Sequence, residues 1–71
     1  MADSVYKFIE LVGTSSESWE KAAAAAVNQA SKSVRDARVA EIVQLDVTLE
    51  KGKIKSYRAK VKLSFKLESK G

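Results

Sequence analysis

The stretch from Ser15 to Val34 constrains this chain most, because it reads as the only helix between segments that read as strand. Trp19, Ala22, Ala23, Ala26, Val27, Ala30 and Val34 recur at intervals of three and four, which sets them on one stripe of a helix. Glu20, Lys21, Asn28, Gln29, Lys32 and Arg35 fall mostly on the other side, toward water. The run Ala22 to Ala26 has the highest helix propensity available and no β-branched residue. Gly13-Thr14-Ser15-Ser16-Glu17 offers several N-cap hydroxyls, with Thr14 and Glu17 at capping-box spacing. Glu17 and Glu20 suit the positive end of the helix dipole, and Lys32 and Arg35 the negative end.

The flanking segments have strand periodicity. Val5 to Val12 places Val5, Ile9 and Leu11 on one face and Tyr6, Phe8 and Val12 on the other, so both faces need cover. Gly13 is expected to end this strand and lead into the helix cap. After the connection Asp36-Ala37, the second strand runs from Arg38 to Leu49. One parity holds Val39, Val43, Leu45, Val47 and Leu49, with Glu41 as the exception; the other holds Arg38, Ala40, Ile42, Gln44, Asp46 and Thr48. Glu50-Lys51-Gly52-Lys53 reads as a hairpin turn, with glycine where a positive φ is needed. The third strand alternates cleanly: Tyr57, Ala59, Val61, Leu63, Phe65 and Leu67 face one way, Arg58, Lys60, Lys62, Ser64 and Lys66 the other. Ser69-Lys70-Gly71 reads as a frayed tail. The order is β-α-β-β, an α+β chain in one domain spanning residues 1–71, with no repeat and no proline-marked linker.

Strands of this length reach roughly 40 Å, whereas a helix of about 19 residues covers roughly 28 Å and one narrow stripe. The sheet should overrun its helix and leave apolar surface that a single copy cannot cover, so self-association is expected. Seventy-one residues make a small domain, and with no cysteine, packing alone must hold it together. The absence of cysteine and histidine also excludes thiolate and imidazole metal sites. No apolar run approaches the roughly 20 residues that span a bilayer, and the start lacks a signal-peptide pattern, so a cytoplasmic location is expected. The net charge of +4 permits an acidic partner without requiring one.

From Val5 to Glu68 the chain resembles the dodecin family. The segment Val5-Tyr6-Lys7-Phe8-Ile9-Glu10-Leu11-Val12-Gly13-Thr14-Ser15 is similar to the family's first strand and turn. Glu17-Ser18-Trp19-Glu20 and the alanines after it resemble its helix start, and Ala30-Ser31-Lys32-Ser33-Val34-Arg35 its helix end. Ala40-Glu41, Gly52-Lys53, Tyr57 and Phe65-Lys66-Leu67-Glu68 resemble the remaining strands. The resemblance implies a three-stranded antiparallel sheet wrapped around one helix, assembled as a hollow homododecamer. Most dodecins sequester flavins such as FMN or riboflavin: paired rings stack on a tryptophan early in the second strand, and a glutamine after the third-strand tyrosine hydrogen-bonds the ring edge.

At those positions this chain carries Val39 and Arg58, and Gln44 falls on the same family site. Valine has no π face, and aromatic stacking contributes about 1–3 kcal/mol per ring in comparable cases. Arginine only donates, so it cannot replace the donor and acceptor of a glutamine amide. The chain is closer to a subset of dodecin-like proteins that shares an Arg-Val-Ala segment and a Tyr-Arg pair, of which one is described as calcium-binding.

Trp19 reads as core or interface packing, and Gly13 to Ser16 as a cap, since the Gly-Lys-Ser/Thr ending of a P-loop is missing. Arg58, Lys60, Lys62 and Lys66 form a basic row, either a solvated or salt-bridged face or an anion site for a phosphorylated ligand. Lys66, at a family-matched basic position, and Lys7 are the phosphate candidates. No EF-hand loop is present, and Glu41, an acid at an apolar parity, is the candidate calcium ligand. The resulting reading is a non-enzymatic binding or storage protein for a small molecule or ion, a homododecamer with an altered ring site. Flavin sequestration is the alternative, and a basic nucleic-acid-binding module a further one, without an RRM or KH signature to support it. Catalysis is not expected, because no paired carboxylates or nucleophile–base spacing stand out.

Overall fold

A computed structural model describes residues 4–33 and 37–66. Strand β1 spans Tyr6–Ser15, helix α1 Trp19–Ala30, β2 Ala37–Glu50 and β3 Lys53–Lys66. All neighbours are antiparallel, in the order β1-β3-β2, so the last strand of the chain is the middle of the sheet. The β-α-β-β fold read from the sequence is therefore the fold observed.

The helix is shorter than its sequence pattern. Ser15 and Thr14 stay in β1, which runs through Gly13 instead of ending there. Ser15 Oγ accepts from the backbone N–H groups of Glu17 and Ser18. The chain turns there, and the cap passes to Ser18, whose hydroxyl accepts from Lys21 N at 3.1 Å. The capping box of Thr14 and Glu17 does not form; Glu17 pairs with Lys21 one turn on. Lys32 falls in the turn after the C-cap Ser31. Val34, Arg35, Asp36, Leu67, Glu68 and the tail Ser69-Lys70-Gly71 lie outside the described residues.

One face of the helix is made of alanine, and that sets the packing. Ala22, Ala26 and Ala30 are buried against Ala59, Val61 and Leu63 of β3, with Ile9, Leu11, Ala23 and Val27 partly buried around them. Gly13 lies opposite Ala59 beneath the helix. A Cβ on Gly13 would stand 2.0 Å from the Ala22 carbonyl oxygen and 3.0 Å from Ala26 N, so no larger residue fits there without parting strand and helix. Small residues on both sides bring the two backbones close together.

The β2–β3 hairpin turns through Lys51 and Gly52, with φ of 54° and 77°, the two left-handed residues a tight hairpin needs. Irregularities at three places shift the register of β2 against β3. Between Ile42 and Gln44 the extra residue is Val43, and it reverses which parity faces the helix. Ala40 and Ile42 lie opposite the helix-facing Leu63 and Val61, whereas beyond the bulge Leu45 and Val47 take that side. The single-parity reading of β2 is corrected accordingly, and Glu41 is no exception: it shares the outer face with Val39, Gln44, Asp46 and Thr48.

The helix lies against β1 and β3 and barely touches β2. The molecule is long, 57 × 19 × 13 Å, with a radius of gyration of 15.1 Å where a compact chain of this length has about 11 Å. Tyr6, Phe8, Val12 and Val39 are exposed on the outer face of the sheet, and Ile42, Leu45, Leu49 and Ile54 on the helix side beyond the helix. Apolar surface on this scale in so small a chain matches the expected overrun of the sheet past its helix.

Candidate functional site

The outer face of the sheet carries nearly all the candidate residues, because alternation sends the even-numbered residues of β3 there. Arg58, Lys60, Lys62, Ser64 and Lys66 run along the middle strand, flanked on β1 by Thr14, Val12, Glu10, Phe8 and Tyr6. On β2 the same face holds Asp46 opposite Arg58, Gln44 opposite Lys60, Glu41 opposite Lys62 and Val39 opposite Ser64. A basic row is thus set between strands that supply acids.

Arg58 is the most firmly held member. Its Nε and one terminal nitrogen donate to the two carboxylate oxygens of Asp46 at 2.7 and 2.8 Å, a bidentate pair. These hydrogen bonds hold the Asp46 carboxyl below its ordinary value of 3.8, and raise Arg58 in return. Asp46 is gripped from the other face as well: its backbone carbonyl accepts from Trp19 Nε1 at 3.0 Å. Trp19 meets Tyr57 edge to face with ring centroids 5.1 Å apart. The aromatic pair and the ion pair together tie the start of the helix to the middle of β2.

The other cations have neighbours too. Lys60 Nζ is 4.0 Å from Glu10, and Lys62 Nζ sits 5.3 Å from the centre of the Phe8 ring. The row is a cross-strand charge ladder, each cation facing an acid or a ring, with Lys66 at its end beside Tyr6.

The candidate positions are brought together only in part. Gln44 lies next to the Arg58–Asp46 pair, one step along the face. Val39 does not: it faces Ser64, six residues beyond Arg58 on β3, or about 20 Å away. Val39 is 58% exposed and presents only an aliphatic surface. Lys7 and Lys66 stand at the same end of the sheet but on opposite faces, since Lys7 pairs with Phe65 and Lys66 with Tyr6. Glu41 faces Lys62, and among the described residues no group of three acidic side chains converges on a metal position.

At the positions of the family's ring site Val39 presents no aromatic ring and Arg58 no acceptor, and two of the five N–H groups of Arg58 are held by Asp46. Among the described residues no calcium site forms within one chain: Glu41 faces Lys62, with Glu10 on the far side of that lysine. Sequence reading missed the part played by Asp46. Counting outward from the turn, where Glu50 pairs with Lys53, would set Asp46 opposite Tyr57; the irregularity at Lys55 moves it to Arg58. That displacement carries no sequence signal beyond the lysines themselves.

The family model for dodecin matches residues 5–68. The chain is 51% identical over 65 residues to calcium dodecin of Mycobacterium tuberculosis, covering 90% of both chains. It is 38% identical over 64 residues to dodecin of Thermus thermophilus, covering 90% of this chain and 93% of that one. The crystal structure of the Mycobacterium tuberculosis protein, described as a calcium-chelating immunodominant antigen with a novel calcium-binding site, superposes with a TM-score of 0.80 at 48% identity, covering 96% of this chain and 97% of that one. With its β-α-β-β fold, its alanine-faced helix and a family match across nearly its whole length, this chain belongs to the dodecin family.

Proposed function

We propose that this chain is a non-enzymatic binding or storage protein that assembles in the cytoplasm as a hollow homododecamer and takes an ion or small molecule other than a stacked flavin. The observation that carries the reading is the bidentate Arg58–Asp46 pair, which fixes a donor-only guanidinium, two of its N–H groups engaged, where the family's ring-edge amide is expected. Val39 adds the loss of a stacking surface. Calcium is the ion to test first, because the relative at 51% identity is a calcium dodecin. Among the described residues no acidic cluster stands within one chain, so such a site would take donors from more than one copy or use backbone carbonyls, with Glu41 as its candidate side-chain ligand. Lys7 and Lys66 remain the candidates for a phosphate-bearing ligand, each from a different face. Nucleic-acid binding has less support, since Arg58 and Lys60 of the row are paired with acids, which interrupts the basic surface.

A fluorescence titration of riboflavin and FMN tests the central point. The wild type is expected to leave flavin emission unquenched, and Val39→Trp combined with Arg58→Gln to introduce saturable quenching. Saturation of the wild type near one flavin per chain would overturn the reading. Calorimetry with calcium chloride then compares the wild type with Glu41→Gln, which is expected to lose heat of binding.

A further inference from the structure

The uncovered half of the molecule has both a hollow and something shaped to fill it. Because α1 leans on β1 and β3, a hollow of about 280 Å³ opens between the helix and β2, lined by Trp19, Glu20, Ala23, Ile42 and Leu45. Its walls are apolar apart from one carboxylate. At the end of the β2–β3 hairpin, Leu49 and Ile54 lie opposite each other, 63% and 56% exposed. They continue the helix-side face of β2 past the end of the helix, and Lys51, Lys53 and Lys55 surround them. Lys55 pairs with Glu50 at 3.7 Å; among the described residues neither Lys51, Lys53 nor Glu20 has an ion-pair partner.

We infer that the hairpin tip of one copy seats in the α1–β2 hollow of a second copy, Leu49 and Ile54 entering between Trp19 and Leu45 while Lys51 and Lys53 meet Glu20. The inference rests on the self-assembly reading above and names its contact. The tip cannot fill its own hollow, because Leu49 continues the same strand that supplies Leu45. Tip against tip would crowd lysines together, and hollow against hollow would bring two Glu20 side chains into apolar surroundings. Only tip into hollow matches charge with countercharge. The size is right too: a cavity of about 150 Å³ holds a benzene, so this one has room for two aliphatic side chains. Different surfaces meet at such a contact, so it is heterologous and does not end at a two-fold dimer; in a closed assembly it repeats around a ring.

Charge reversal at Glu20 and at Lys51 with Lys53, followed by light scattering over a dilution series, tests this. Glu20→Lys alone, and Lys51→Glu with Lys53→Glu, are each expected to dissociate at a protein concentration about tenfold higher than the wild type. Combining all three reversals is expected to restore assembly. Cysteine pairing gives a second reading in a chain that has no cysteine of its own. Ala23→Cys and Ile54→Cys refolded together should give covalent dimers on oxidation, while either variant alone should not. A wild-type assembly indifferent to the charge reversals, or crosslinks equally strong in the single variants, would overturn this contact and leave the self-assembly reading standing. A monomeric wild type would overturn both.

Discussion

Asp46 joins all three parts of the structure around it, with its carboxylate on Arg58 of β3 and its carbonyl on the indole of Trp19 in the helix. The ion pair is half exposed, so its effect on stability is damped by solvent and shows best through pH. The folded carboxyl titrates below its ordinary value of 3.8, so its contribution is present in full above that value and is lost as pH falls through the folded one. In thermal melts, Asp46→Asn should therefore be less stable than the wild type near neutrality, with the gap closing below pH 3.8. A gap that stays constant across the acid range would show that the carboxylate's charge contributes nothing. Trp19→Phe keeps the ring contact with Tyr57 but loses the indole N–H, and is expected to cost about 1 kcal/mol in denaturant unfolding.

Among the elements, the helix start and its seat on β1 give the sharpest expectations. Ser18→Ala should cost about 1 kcal/mol, the usual loss of a capping hydroxyl, whereas Thr14→Ala should stay within about 0.5 kcal/mol. Gly13→Ala forces a methyl onto the Ala22 carbonyl and should destabilise by about 3 kcal/mol, the upper range for overpacking; chemical denaturation measures all three. Several features of this architecture were legible beforehand. The spacing of Ala22, Ala26 and Ala30 announced the helix and its apolar stripe, Gly52 announced the hairpin, and the alternation of β3 separated its apolar residues from its cations. The helix start was misplaced because Thr14, Ser15, Ser16 and Ser18 all offer caps, and only β1's pairing with β3, which runs to Ser15, decides among them. The parity of β2 was misread because a bulge leaves no mark on hydrophobicity; Val43 looks like any other strand valine. Of the candidate site, the residue types were legible and their companions were not: the sequence pointed to Arg58, but only the shifted register brought Asp46 to it.

At the scale of the whole molecule, the small alanine-rich core and the exposed apolar side chains on both faces argue that one copy is incomplete. Light scattering at micromolar concentration should report the mass of twelve chains, and the apparent melting temperature should rise with protein concentration, because association adds stability by mass action. A concentration-independent melt at monomer mass would contradict the assembly reading.

The strand order also governs how the chain folds during synthesis. β1 and β2 each pair only with β3, the last of the three strands to be made. Everything translated earlier waits as unpaired strand and a short helix without a sheet, and at about 5–20 residues per second that interval lasts on the order of seconds. Ribosome-bound chains stalled before Lys53 should remain protease-sensitive throughout, and those released past Lys66 should become resistant in one step. For this protein, the sheet forms only once β3 has been made, and it is set off by the arrival of a single strand.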